Sequence, residues 1–229
     1  MKPIIILGEK ATGKTELANE IAKRKGGEIV VADKFYIYDF FERSVGLDKD
    51  EYEVLTHLLG GTDPEKRIPR SDYSNMAMKR IENIQSAEKL PIVEGCSFGY
   101  VTSLLERDMD PLIFGLRYPN KMYPREKYLR EINIHLKNGA IGEVEKAMLQ
   151  GLGDTYIMNK SIYCSNIKRY IKGEVDLNLA IRLIVEDFVD SVKKSRKSFE
   201  NLEEDVFWID STKKIDEKID FVERKLEQS

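Results

Sequence analysis

The stretch Ile4 to Thr15, IIILGEKATGKT, constrains this chain more than any other. A β-branched apolar run breaks at Gly8 and returns at Gly13-Lys14-Thr15 before a helical pattern begins. That is the strand, loop and helix context that the pattern G-x-x-x-x-G-K-[ST] requires, so the stretch reads as a P-loop. Gly8 and Gly13 let the backbone turn so that its N–H groups converge on phosphate oxygens at the positive end of a helix, and Lys14 adds a point charge. Thr15 offers a hydroxyl to Mg²⁺. The plainer alternative, a glycine-rich turn with a surface lysine, does not account for the flanking strand and helix. A P-loop predicts binding of a diphosphate or triphosphate and leaves the reaction open.

At 229 residues the chain is read as one α/β domain, 1–229: a parallel P-loop sheet flanked by helices, with a mainly helical C-terminal part. Charged residues make up 34% but nearly cancel, to a net charge of −3, so no global basic field of the kind that drives non-specific nucleic-acid binding is expected. Cys96 and Cys164 lie far apart and only two histidines are present, which supports neither a disulfide framework nor a zinc site. With no signal-peptide pattern and no apolar run of membrane-spanning length, a cytoplasmic protein is expected.

Glu16 to Lys25 predicts an amphipathic helix with Leu17, Ile21 and Ala22 inward, ended by Gly26-Gly27. A short apolar strand, Glu28 to Ala32, delivers Asp33 at its C-terminal end, where ligands sit in an open parallel sheet. Asp33 also suits the N-cap of a helix beginning near Phe35. The aromatics Phe35, Tyr36, Tyr38, Phe40 and Phe41 read mainly as core, although Tyr36 and Tyr38 are placed to flank a flat ring or an apolar chain. Glu42 to Pro69 is a long polar loop with one helical turn near Asp50 to Leu58, and loops of that length are usually functional. A helix from Ser71 or Asp72 to Ser86 is read with Met76, Ile81 and Ile84 inward, and Leu90 to Val93 is a third strand ending in Glu94-Gly95-Cys96-Ser97. Glu94 is placed to order water around Mg²⁺; Ser97 is placed either to donate to a phosphate oxygen or to cap a helix. A fourth strand, Leu112 to Leu116, leads through a basic, proline-flanked segment to Arg125. Helices follow over 126–137, 141–150, 161–172 and 177–199, the last capped by Asp176; this appendage, about 124–200, is expected to pack over the site. A strand at Val206 to Ile209 and a helix at Ile215 to Leu226 close the chain.

The succession GEKATGKT, ADKFYIY, THLLGGTDPEKRIPRSDY and PIVEGCSFGY resembles the isopentenyltransferase family, which comprises tRNA dimethylallyltransferases and the adenylate isopentenyltransferases that make cytokinins. LREINIHLKNGAIGEVEKAM, NKSIYCSNIKRYIKGEVDLNLAI and VKKSRKSF followed by VFWID extend the resemblance over nearly the whole chain, although only the P-loop is specific on its own. The resemblance implies a P-loop that holds the pyrophosphate of dimethylallyl diphosphate, with Gly8, Lys10, Ala11, Thr12, Gly13, Lys14 and Thr15 as its residues and Mg²⁺ on Thr15. It implies further pyrophosphate contacts from Ser97 and from Arg130, with Lys127 as the second choice. Asp33 would accept a hydrogen bond from the adenine N6 amine and act with Lys14 and Thr15 in catalysis, and Tyr36 and Ser44 would help hold the acceptor. Three positions depart from the family pattern. Lys10 stands where threonine is usual, Lys-Phe-Tyr follows Asp33 in place of Ser-Met-Gln, and Asp190 stands at an expected arginine.

Within the family, tRNA-modifying members carry a helical insertion between the strand end at Ser97 and the helix bearing Arg130, and here only Val101 to Arg125 lies between. The expected function is therefore transfer of a dimethylallyl group to N6 of AMP by a soluble enzyme of small-molecule substrates. Its rivals are a tRNA dimethylallyltransferase of reduced size, a P-loop kinase phosphorylating a small acceptor, and a non-catalytic nucleotide sensor.

Overall fold

A computed structural model describes residues 1–119, 122–202 and 205–228. Six strands, β1 (Ile4–Gly8), β2 (Gly27–Val31), β3 (Thr56–His57), β4 (Leu90–Gly95), β5 (Leu112–Arg117) and β6 (Val206–Asp210), form one sheet in the order β3-β2-β4-β1-β5-β6. Every neighbouring pair is parallel. All strand C-termini therefore meet along one edge, which carries Glu9, Asp33, Cys96 and Tyr118.

Strands covered on both faces read as continuous apolar runs, as Ile4-Ile5-Ile6-Leu7 does. Their alternation sorts them into two cores. Ile5, Leu7, Val30, Val93 and Ile113 pack on one face with α2 (Arg70–Ser86), α3 (Phe98–Leu105) and α8 (Leu177–Glu200). Ile4, Ile6, Ile29, Ile92 and Phe114 pack on the other with α1 (Lys14–Lys25) and α9 (Ile215–Glu227). The remaining helices, α4 (Arg125–Lys137), α5 (Ala140–Leu149), α6 (Tyr156–Lys160) and α7 (Ile162–Ile171), belong to the C-terminal half, with α8 packed against α4 and α7. Asp176 caps α8 by accepting the Leu179 N–H at 2.7 Å, and the helix runs 24 residues, about 36 Å.

Several local expectations fail for identifiable reasons. No helix starts near Phe35; Asp33 accepts the Phe35 N–H at 2.8 Å and closes a turn instead. The helical turn expected near Asp50 to Leu58 is a 3-10 turn over Lys49–Glu51 followed by β3, held to β2 by two residues and by the His57–Glu28 contact at 2.6 Å. Met76 is only partly buried, and the inner stripe of α2 is Tyr73, Ala77, Ile81 and Ile84. The short α6, capped by Thr155, has no counterpart in the sequence reading. Asn120 and Lys121 of the basic, proline-flanked segment lie outside the described residues, as do Glu203, Glu204 and Ser229.

Candidate active site

A cleft of about 1060 Å³ opens along the C-terminal edge of the sheet. Its floor is the P-loop and its walls come from the ends of β2 and β4 and from α4, α7 and α8. Gly8, with φ of +148°, sits where a Cβ would lie 2.2 Å from the Leu116 carbonyl oxygen, so only glycine lets β1 turn out beside β5. Gly13 has left-handed backbone at the N-cap of α1, and Lys10, Ala11, Thr12, Lys14 and Thr15 all line the cleft. The loop is braced from within by the Lys14 ammonium and the Thr12 hydroxyl, both donating to the Glu9 carbonyl at 2.8 Å. From outside, Tyr118 (2.6 Å) and Lys127 (2.8 Å) donate to the carbonyl of Ala11, which has a φ of +62°.

The ends of β2 and β4 lie so close that a Cβ on Gly95 would come within 2.2 Å of the Ala32 carbonyl oxygen. That approach brings Asp33 and Cys96 side by side, with the Cys96 thiol donating to Asp33 Oδ2 at 3.0 Å. Burial, then the Asp33 charge, pushes the thiol up to about 12, so it stays protonated. Ser97 is at the N-cap of α3, but its hydroxyl accepts the Lys34 N–H at 2.9 Å and makes no cap bond. Glu94 is 4% exposed; burial raises its pKa against the opposing pull of Lys14, and it accepts from the Tyr52 hydroxyl at 3.2 Å. Tyr52 also contacts Thr15, which places three oxygens of the hard-donor type on one side of the P-loop. Among the described residues no group of three or more histidine, cysteine or carboxylate side chains gathers as a metal site.

The helical wall separates the two basic candidates on α4. Lys127, Glu131 and His135, spaced by four residues, face the cleft. Arg130 lies about 100° round from Glu131, is exposed, and does not line it. Of the two candidates, the preferred Arg130 points away from the cleft and the second choice, Lys127, three residues earlier, occupies the inner face. Ser44 is corrected too. It is fully buried, its hydroxyl and its N–H (2.6 Å) both donate to Glu143, and it is absent from the cleft lining. Tyr36 lines the cleft with its hydroxyl on the Gly46 carbonyl at 2.8 Å, whereas Tyr38 is core and accepts the Ile68 N–H at 3.2 Å. Lys10 lies over the Phe188 ring at 5.0 Å, and Asp190 is an exposed partner of Lys193 at 2.9 Å.

Sequence reasoning missed Lys34, Arg67, Arg70 and Lys160, which also line the cleft; it offered Arg196, with Lys127, Arg130, Lys193 and Lys194, as a basic side chain that could reach the P-loop, but not its buried pairing with Glu9. Nothing local signals the pair, because its members are 187 residues apart.

No family model matches the chain. It is similar to a protein named tRNA dimethylallyltransferase from Acetivibrio thermocellus, 24% identical over 295 aligned positions that take in 94% of each chain. Since 94% of 229 residues is about 215, some 80 of those 295 positions have no residue of this chain opposite them. A tRNA dimethylallyltransferase 2 from Treponema denticola is 38% identical over 103 residues, 44% of this chain and 35% of that protein. Among solved structures, a tRNA isopentenylpyrophosphate transferase from Bacillus halodurans superposes with a TM-score of 0.91 at 20% identity, covering 99% of this chain and 97% of that one. The corresponding Staphylococcus epidermidis transferase gives 0.88 at 18% identity with both chains fully covered. These superpositions establish the shared fold.

Proposed function

We propose that this chain is a prenyltransferase of the isopentenyltransferase family, moving a dimethylallyl group from dimethylallyl diphosphate to the exocyclic N6 of an adenine carried by tRNA. The observation that supports this best is end-to-end similarity to tRNA dimethylallyltransferases, joined to a P-loop that shares one cleft with Asp33. An exocyclic adenine amine is a weak nucleophile because its lone pair is delocalised into the ring. Asp33 accepts the N6 proton as the new C–N bond forms, and the allylic C–O bond breaks with its electron pair leaving on pyrophosphate. The P-loop amides and Lys14 take up the charge developing on the leaving group, so the acceleration lies chiefly in electrostatic stabilisation of that charge. Thr15 and the buried Glu94 beside Tyr52 are oxygen donors suited to Mg²⁺, completed by phosphate oxygens and water. When bound, the ion would neutralise charge on the diphosphate.

One observation favours AMP as the acceptor instead. Six residues, 106–111, join α3 to β5, which leaves no room for a helical insertion there. The two readings part in a single assay with dimethylallyl diphosphate, Mg²⁺ and either unmodified tRNA or AMP, followed by mass spectrometry of the adenine. Product from tRNA is the expected result; product from AMP alone would transfer the assignment to an adenylate enzyme, and product from neither would end the prenyltransferase reading.

A further inference from the structure

The second residue of the P-loop is an acid. Glu9 follows Gly8 directly, is 2% exposed, and contributes its carbonyl to the bracing of Lys14 and Thr12. A buried carboxylate within an anion-binding loop works against the loop's purpose in two ways. It repels the incoming diphosphate, and it competes for the same donors, the loop N–H groups and the Lys14 ammonium. In this structure it does neither, because the Arg196 guanidinium of α8 takes both of its oxygens, Nε on Oε1 and Nη2 on Oε2, the latter at 2.9 Å. Arg196 is itself 8% exposed and lies 5.3 Å over the Tyr123 ring, so the fork is fixed on both sides. A planar two-pronged donor is what a carboxylate needs if neither oxygen is to turn elsewhere.

We propose that Arg196 is a positioning residue for diphosphate binding: by engaging both Glu9 oxygens it cancels the loop's own charge and registers α8 against the cradle. The inference rests on reading the P-loop as a diphosphate site. It does not depend on which acceptor is used. α8 also brings Phe188, Ser191, Val192, Lys194, Ser195 and Ser198 to the cleft, so the same ion pair sets the distance between the cradle and its opposite wall.

The charge argument makes the two single substitutions differ in sign, which a purely structural tie would not. Arg196→Met leaves an uncompensated carboxylate in the loop and weakens binding of inorganic pyrophosphate, with Mg²⁺ present, by about tenfold or more. Glu9→Gln removes the repulsion and binds pyrophosphate no more weakly than wild type, although both single variants melt at lower temperature. The double variant Glu9→Gln/Arg196→Met returns to within about threefold of wild-type affinity. Titration calorimetry on the full chain, below the lowest melting temperature, reads all four. Equal weakening in both single variants with no recovery in the double would overturn the proposal and leave a structural brace. Should Arg196→Met not fold, Arg196→Lys carries the comparison, because an ammonium cannot occupy both oxygens. Weaker binding that recovers in Glu9→Gln/Arg196→Lys is expected, and unchanged binding in Arg196→Lys counts against the idea. Wild-type protein that binds pyrophosphate but prenylates no adenine would sink the functional reading alone. If wild type binds no pyrophosphate, the P-loop assignment and this inference fall together.

Discussion

At the scale of single residues the telling contrast is between Asp33 and Glu94, two carboxylates at neighbouring strand ends with different surroundings. Glu94 is buried and pushed towards its protonated form, with the Tyr52 hydroxyl donating to it. Asp33 has each oxygen engaged once, by the Phe35 N–H and by the Cys96 thiol. A carboxylate offers about four acceptor sites, so capacity is left for a substrate amine. The Cys96 thiol is a weak donor that helps to orient Asp33. Asp33→Asn keeps the shape and the Phe35 bond but cannot take a proton. We expect prenyl-transfer turnover to fall on the order of 10²- to 10⁴-fold with pyrophosphate affinity preserved, and undiminished turnover in the Asp33→Asn variant would remove Asp33 from the chemistry.

At the scale of elements, the loop between β2 and α2 is held by one side chain of α5. Glu143 accepts the N–H groups of Glu42 (3.0 Å), Arg43 (3.3 Å) and Ser44 (2.6 Å), and Ser44 also gives its hydroxyl. Removing that carboxylate orphans several donors at once, so Glu143→Ala should lower unfolding free energy by about 2–3 kcal/mol in urea titrations. Ser44→Ala loses a single donor and should cost about 1 kcal/mol without changing acceptor affinity. A changed acceptor affinity in Ser44→Ala would restore it to the site. On α4, burial and the nearby Lys10 hold His135 down to about 4, below its usual 6.5. The unfolded chain then binds more protons between those values, so the His135 contribution to stability is complete above pH 6.5 and is lost as pH falls towards 4. Melting curves of wild type should therefore shift down between pH 7 and 5 more than those of His135→Gln. The same helix shows what could be read beforehand. The sequence pattern located α4 to within a residue, whereas the choice of Arg130 before Lys127 rested on the family resemblance, which does not fix which face of the helix meets the cleft. Asp33 and Ser97 were legible because a strand end places its next residue with little freedom. Glu143 and the pairing of Arg196 with Glu9 were not, since each acts on a loop that another element brings to it, and no local pattern records such a meeting.

For the whole molecule the question is how a chain of net charge −3 would approach the proposed RNA acceptor. The cleft answers it locally. Lys34, Arg67, Arg70, Lys160 and Lys194 join Lys10, Lys14 and Lys127 in lining it, against the six acids Glu16, Asp33, Glu51, Glu53, Glu94 and Glu131, so the lining has a small positive excess while the rest of the chain is acidic on balance. Net charge weakened the case for an RNA partner without excluding one, because a whole-chain sum does not show where the cations lie. Arg67 stacks over Tyr156 at 5.0 Å, pairing a cation with a ring at the cleft wall, an arrangement suited to a base attached to a phosphate backbone. The roughly 80 unfilled positions in the alignment pull the other way, since they remove surface that a larger relative has available for its substrate. Salt dependence decides between these two pulls. An RNA acceptor making three phosphate contacts through this rim should lose about 20- to 40-fold in affinity between 50 and 200 mM salt. A mononucleotide with one contact should lose about threefold or less over the same range. We expect the steep dependence, with Arg67→Ala and Lys194→Ala each flattening the slope by about one contact. A shallow slope that neither substitution alters would mean that the basic wall serves the diphosphate alone, and would shift the acceptor assignment to a free nucleotide.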